Sequence, residues 1–261
     1  MLDDVDPESM EASARLRSLV VSFGERAVLD ARDHAVIRSL GLRFRGRTAW
    51  PWLRSQRPGY APWYLEGDEC RLLELALIQG ADVSKRVRDG TLQLTTGLDE
   101  SPMLTRCYRA DQWIDEWRKP EALDVAPDEP GPVDEVRLRR LQTSRSRKIG
   151  AWQLDLAFLP TPIGTTGERP YYPRLLLALA DSGLIVGTQM LEPWSSAAEL
   201  QEAMLTLLEE AEHLPGDILV SRDEVLRLIA PLAKALKIRV HLTELPELEE
   251  VRESLLDYLE R

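Results

Sequence analysis

WQLDLAFLP at 152–160, RLLLALADSGLIVGTQML at 174–191 and DILVSRDEVLRLIAPLAKALKIRVHL at 217–242 decide how this chain folds. Residues 152–159 alternate as a half-buried strand, and 174–180 form a continuous apolar run of strand length. Asp181-Ser182-Gly183 is turn chemistry, so 184–191 reads as the returning strand of a hairpin. Ser195 or Ser196 then caps a helix, with Glu199 placed for a capping box and Leu200, Met204, Leu207, Leu208 and Ala211 as its apolar stripe. Residues 218–220 make a short buried strand, 222–236 a helix, 238–242 a last strand and 248–259 a terminal helix. A helix lies between the third and fourth strands and another between the fourth and fifth. Helical crossovers join parallel strands, so the sheet is expected to be mixed: an antiparallel meander continued by parallel units.

Outward from that core, composition sets limits. Hydrophobic residues make up 44% of the 261 and charged residues 30%, an ordinary globular balance with room for two cores. The longest apolar run, 175–180, is far short of the roughly 20 residues that span a bilayer. The opening MLDDVDPESMEAS is acidic and lacks the apolar stretch of a secretory signal. Cys70 and Cys107 fit no zinc spacing and no disulfide framework, so reduced thiols in a cytoplasmic protein are expected. Net charge is −11, and residues 152–261 hold 19 acids against 9 bases. Nucleic-acid affinity comes mainly from cations on phosphates, so this acidic half disfavours a simple DNA- or RNA-binding module.

The first half reads as an α+β region. Residues 1–40 show helical spacing (Ala12, Leu16, Leu19, Val20 and Phe23, then 28–40), and 66–79 a helix with stripe Leu72, Leu73, Ala76 and Leu77. Residues 83–87 make a short element, and 91–96 and 103–109 short strands. Trp113 and Trp117, four apart, are expected on one helix face. The segment 42–65 is dense in Trp, Tyr, Pro and Gly, an ordered turn region whose rings need burial or a partner. Proline and acid crowd 120–132, which places a linker at 120–135 between domains at 1–119 and 136–261. VRLRRLQTSRSRKI follows at 136–149, either an edge strand or solvated helix, or a polyanion contact through Arg139, Arg140, Arg145, Arg147 and Lys148.

WQLD at 152–155, LALADSGLIVG at 177–187 and the stretch 217–245 resemble the ribonuclease H-like fold of retroviral-type integrases and many transposases. WPWLRSQRPGYAPW at 50–63 resembles the N-terminal pattern of an uncharacterised bacterial family that pairs such a region with this C-terminal domain. The resemblance implies an α/β fold whose mixed sheet carries helices on both faces. It also implies a place for clustered carboxylates holding two divalent ions about 4 Å apart. Asp155 falls where the first carboxylate belongs, and Ser221 and Arg222 stand where the second would be. Asp223 and a terminal-helix glutamate (Glu249, Glu250 or Glu253) are the remaining candidates.

Two functions follow as expectations. The first is a non-catalytic interaction module without a cofactor, contacting a protein partner through Trp50, Trp52, Tyr60 and Trp63. The alternative is a nuclease or phosphoryl-transfer enzyme using Mg²⁺ or Mn²⁺ on Asp155, Asp223 and Glu253, with the basic block carrying the nucleic acid. A homo-oligomer through Leu248, Val251, Leu255 and Leu259 is a third possibility.

Overall fold

The computed structural model describes residues 16–94, 102–119, 129–144 and 147–259, the side chains of 253 and 256–259 excepted. They form two compact units. One gathers the described residues of Met1–Ser18, Gln56–Trp63 and Pro127–Arg261, and the other those of Leu19–Ser55 and Tyr64–Ala126.

In the N-terminal unit, strand β1 (Ser18–Gly24) pairs with β2 (Trp50–Gln56). Helix α1 (Ala31–Ser39) lies between them in sequence, and α2 (Gly67–Arg88) and the hairpin β3 (Met103–Arg109) and β4 (Gln112–Arg118) follow. Four expectations are corrected here. Residues 18–24 are a strand, because SLVVSF is rich in β-branched and aromatic side chains and finds a partner in β2. Residues 83–87 continue α2 through Gly80, since Val83 and Val87 prolong the helical spacing. Trp113 and Trp117 sit on β4, not on a helix: a separation of four satisfies a period of 2 as well as one of 3.6. Ala110 and Asp111, with φ of 47° and 60°, turn the hairpin, which puts Trp113 opposite Tyr108 and Trp117 opposite Leu104. No strand forms at 91–94, and 95 and 96 lie outside the described residues, as does Ala12.

The C-terminal unit is an α/β structure. After α3 (Glu135–Ser144) come β5 (Ala151–Phe158), β6 (Arg174–Ala180), β7 (Ile185–Leu191), α4 (Ala197–Glu210), β8 (Asp217–Val220), α5 (Asp223–Leu236), β9 (Arg239–Leu242) and α6 (Pro246–Leu259). The strands lie in the order β7-β6-β5-β8-β9. β6 runs antiparallel to both neighbours, while β8 is parallel to β5 and β9. The meander and both crossovers are as the sequence predicts.

Alternation along the central strands loads both faces. Leu154, Leu156, Leu176, Ala178, Ile218 and Val220 pack with Leu138 and Leu141 of α3 and with the apolar sides of α4 and α5. Leu175, Leu177 and Leu179 meet Leu245 and Leu248, with Leu219, Val251 and Leu255 around them. Each such leucine contributes about 2 kcal/mol on burial. The terminal helix therefore docks on its own sheet. Ser196 caps α4: its Oγ accepts from the Glu199 N–H at 3.3 Å, and Glu199 accepts from the Ser196 N–H at 2.7 Å.

Candidate functional site

Asp155 lies midway along β5, paired with Leu177 and facing α6, and it is 4% exposed. A carboxylate buried there is costly without hydrogen-bonding partners. Arg222, in the turn between β8 and α5, donates from Nε and Nη2 to Asp155 Oδ1 at 3.0 and 2.5 Å, and Nη2 also meets the Leu156 carbonyl. Arg252, one helical turn beyond Leu248 on α6, approaches Oδ2 at 3.4 Å. Both carboxylate oxygens thus face guanidinium groups, which are cations where a divalent ion would need anions.

The remaining described carboxylates do not complete a metal site. Asp223 is exposed in the first turn of α5, where an acid meets the positive helix end. Glu249 and Glu250 are exposed, and the Glu253 side chain lies outside the described residues. Among the described residues no three of His, Cys, Asp and Glu converge as metal ligands. The described residues do not fit a two-metal centre. On the opposite sheet face a second buried pair, Arg174 with Glu224 at 2.6 Å, lies against the Phe158 ring. Asp181 stays in the hairpin turn, its N–H donating to the Ala151 carbonyl at 3.0 Å.

Residues 136–144 of the basic block are helical, with Leu138 and Leu141 inward. Arg137 is spent on Glu209, Glu202 and Thr206. The Arg137 hydrogen bond holds the Glu209 carboxyl below the usual range, against the opposing effect of burial. Lys148 Nζ meets the Lys237 carbonyl. Arg139, Arg140 and Arg147 are exposed, and Arg145 lies outside the described residues.

The aromatic candidates separate into two groups. Trp50 and Trp52 belong to the N-terminal unit, both half-buried. Phe44 and His34 pack on Trp50 at 5.7 and 6.1 Å. Arg54 lies over Trp52 and Tyr64 at 5.0 and 4.8 Å. It also binds Asp33 at 2.7 Å and Asp30 at 3.2 Å. Burial pushes the Asp30 carboxyl up, but hydrogen bonds from Tyr64 and from the Asp33 and Arg32 N–H groups bring it below its ordinary value. That cluster caps α1.

Tyr60 and Trp63 sit in the C-terminal unit. Tyr60 stacks on Trp194 at 5.1 Å, and Tyr171 tilts against the same ring at 5.0 Å. Backbone bonds seat the segment: Ala61 N–H to Pro170 O at 2.9 Å and Tyr172 N–H to Gly59 O at 2.8 Å. Gly59, with φ +76°, has no room for a Cβ, which would fall 2.3 Å from Pro193. Trp194 is 49% exposed and anchored by its Nε1–H to Glu192 at 2.6 Å. Exposed Met190 and Ile163 lie in the neighbouring segments. Tyr171 and Trp194 were not singled out from the sequence. PYYP at 170–173 and EPW at 192–194 share the proline–aromatic pairing of PGYAPW at 58–63, which is the signal that would have found them.

The N-terminal unit also holds a cavity of about 340 Å³ lined mainly by Val83, Leu94, Met103, Leu104 and Trp117. Arg106 at its edge is already paired with Asp115 and Asp82.

The C-terminal unit is thus an α/β domain whose one deeply buried strand carboxylate is closed by arginines. Residues 137–256 match the family model of a domain of unknown function, DUF6930, and residues 1–106 match that of a second, DUF7309. No curated protein and no solved structure matches the chain. Among the described residues no helix is long and apolar enough to cross a membrane.

Proposed function

We propose that this chain is a non-catalytic, ribonuclease H-like interaction module that contacts a protein partner through the ledge of Tyr60, Tyr171 and Trp194. The strand order, with its second strand antiparallel, supports the fold assignment. The observation that carries the reading is the Asp155–Arg222 pair at 2.5 Å, at the place where the resembling enzymes bind metal. A divalent ion there would have to displace two guanidinium groups from a buried carboxylate. Half-exposed aromatic rings held rigidly by neighbouring chain make good contact anchors, since little entropy is lost when they are covered. The free Cys70 and Cys107 support a reducing, cytoplasmic setting.

The test has two arms. Purified chain with Mg²⁺ or Mn²⁺ leaves single- and double-stranded DNA and RNA intact. Metal-dependent cleavage abolished by Asp155→Asn would overturn the reading and favour the nuclease. In the second arm, affinity capture recovers a protein that Trp194→Ala loses while circular dichroism shows an unchanged fold. Equal capture by both proteins would remove the ledge from the proposal.

A further inference from the structure

Helix α2 is 22 residues long, about 33 Å, yet Leu73 is the only one of its described side chains fully buried. Leu72, Leu75 and Ile78 are 59%, 42% and 56% exposed, while Leu77, at 48%, lies off their row on another side of the helix. Their spacing of three places them side by side along one face. The unit around them has a small core: Leu29 and Leu73 are its only fully buried hydrophobic side chains among the described residues. Single exposed leucines are ordinary, but a row of them on a helix in a thinly packed unit calls for cover.

The charges flanking that row say what the cover is. Asp68 and Arg71 precede it and Asp82 and Lys85 follow it. Reversing α2 about the point between Ala76 and Leu77 sets Leu75 against Ile78 of a second copy, Arg71 against Asp82, and Asp68 against Lys85. Each of these four charges then meets the opposite sign, with Asp82 shared between that contact and Arg86 and Arg106 of its own unit. A parallel pair would set each charge against itself, and like charges in register repel. The helix dipoles agree, because Glu66, Asp68 and Glu69 at one end would lie beside Lys85, Arg86 and Arg88 at the other. Long-range repulsion between copies is weakest here as well. Of the net −11, residues 152–261 carry −10, leaving the first 151 residues at −1.

We propose that the chain forms a two-fold symmetric homodimer through antiparallel packing of α2 on α2, centred on Leu75 and Ile78. Asp68 and Arg71, which bond each other at 2.7 Å in the single chain with side chains 95% and 80% exposed, exchange that contact for ones across the dimer. Such an exposed intrahelical pair holds little energy, so the exchange costs little.

Sedimentation velocity of the full chain over a concentration series tests this. Wild type is expected to move from a 29.6 kDa species to one of twice that mass as concentration rises. Leu75→Lys should remain monomeric with an unchanged circular dichroism spectrum. Lys85→Glu, which creates two like-charge contacts per dimer, should weaken association about tenfold, and adding Asp68→Lys should restore it. Wild type that stays monomeric to its solubility limit overturns the proposal. So does a dimer indifferent to Leu75→Lys, or a Lys85→Glu defect that Asp68→Lys fails to rescue.

Discussion

Arg222 places two donors on one oxygen of Asp155, at 3.0 and 2.5 Å, while Arg252 faces the other oxygen. The pair joins the turn after β8 to the middle of β5, so it ties the two halves of the sheet together. Asp155 depends on it, being too deeply buried for water to replace the arginine.

Arg222→Ala is therefore expected to destabilise the C-terminal unit by roughly 2–4 kcal/mol, because a buried carboxylate is left with Arg252 as its one cation. Asp155→Asn should cost less, since the amide oxygen still accepts a hydrogen bond and no buried charge remains. Urea unfolding of the two variants beside wild type measures both. Equal midpoints for Arg222→Ala and wild type would show that the pair contributes nothing.

Gly59 is held at φ +76° against Pro193, where a methyl group would overlap the proline ring. Gly59→Ala should cost roughly 2–4 kcal/mol, from the left-handed backbone together with overpacking. It should also loosen the Tyr60–Trp194 stack, readable as a shift in tryptophan fluorescence. A variant as stable as wild type would mean that the segment does not need its seat.

Arg54, with a side chain 7% exposed, holds Asp33 and Asp30 together at the start of α1. Arg54→Met keeps the stem but takes the shared cation away from two carboxylates. The expected loss is roughly 2–4 kcal/mol, tempered because Asp30 is partly solvated. Chemical denaturation followed by far-ultraviolet dichroism gives the value.

Acid should weaken the fold in a defined window. The hydrogen bond from Arg239, joined by that from His241, holds the Asp217 carboxyl below its ordinary value, and Arg86 does the same for Asp115. A carboxylate depressed in the folded state stabilises it while ionised. That contribution is full above the unfolded pKa of about 3.9 and is lost as pH falls through the lower folded value. Thermal midpoints measured from neutral to about pH 3 should fall mainly below about pH 4. Asp217→Asn should flatten that acid limb, and an unchanged limb would count against the role given to Asp217.

The parts of the fold legible beforehand are those where local chemistry and burial agree. The DSG turn, the Ser196–Glu199 cap and the two helical crossovers each have one inexpensive conformation. The misread parts were ambiguous by period or needed a distant partner. Trp113 and Trp117 fit helix and strand alike, and residues 18–24 become a strand only because β2 is there to bond them.

Sequence alone determined the order of strands and helices in the C-terminal half, since alternation, turn residues and caps act within a few positions. It also put Ser221 and Arg222 directly after the fourth strand of that half. What tertiary structure decided is where side chains far apart in the chain meet. Arg222 turns back over 67 residues to neutralise Asp155, Tyr60 crosses to Trp194, and Leu73 of α2 is buried while Leu72, Leu75 and Ile78 are not. Ion pairing and stacking act over a few ångströms and are indifferent to sequence distance, so no local pattern can announce them.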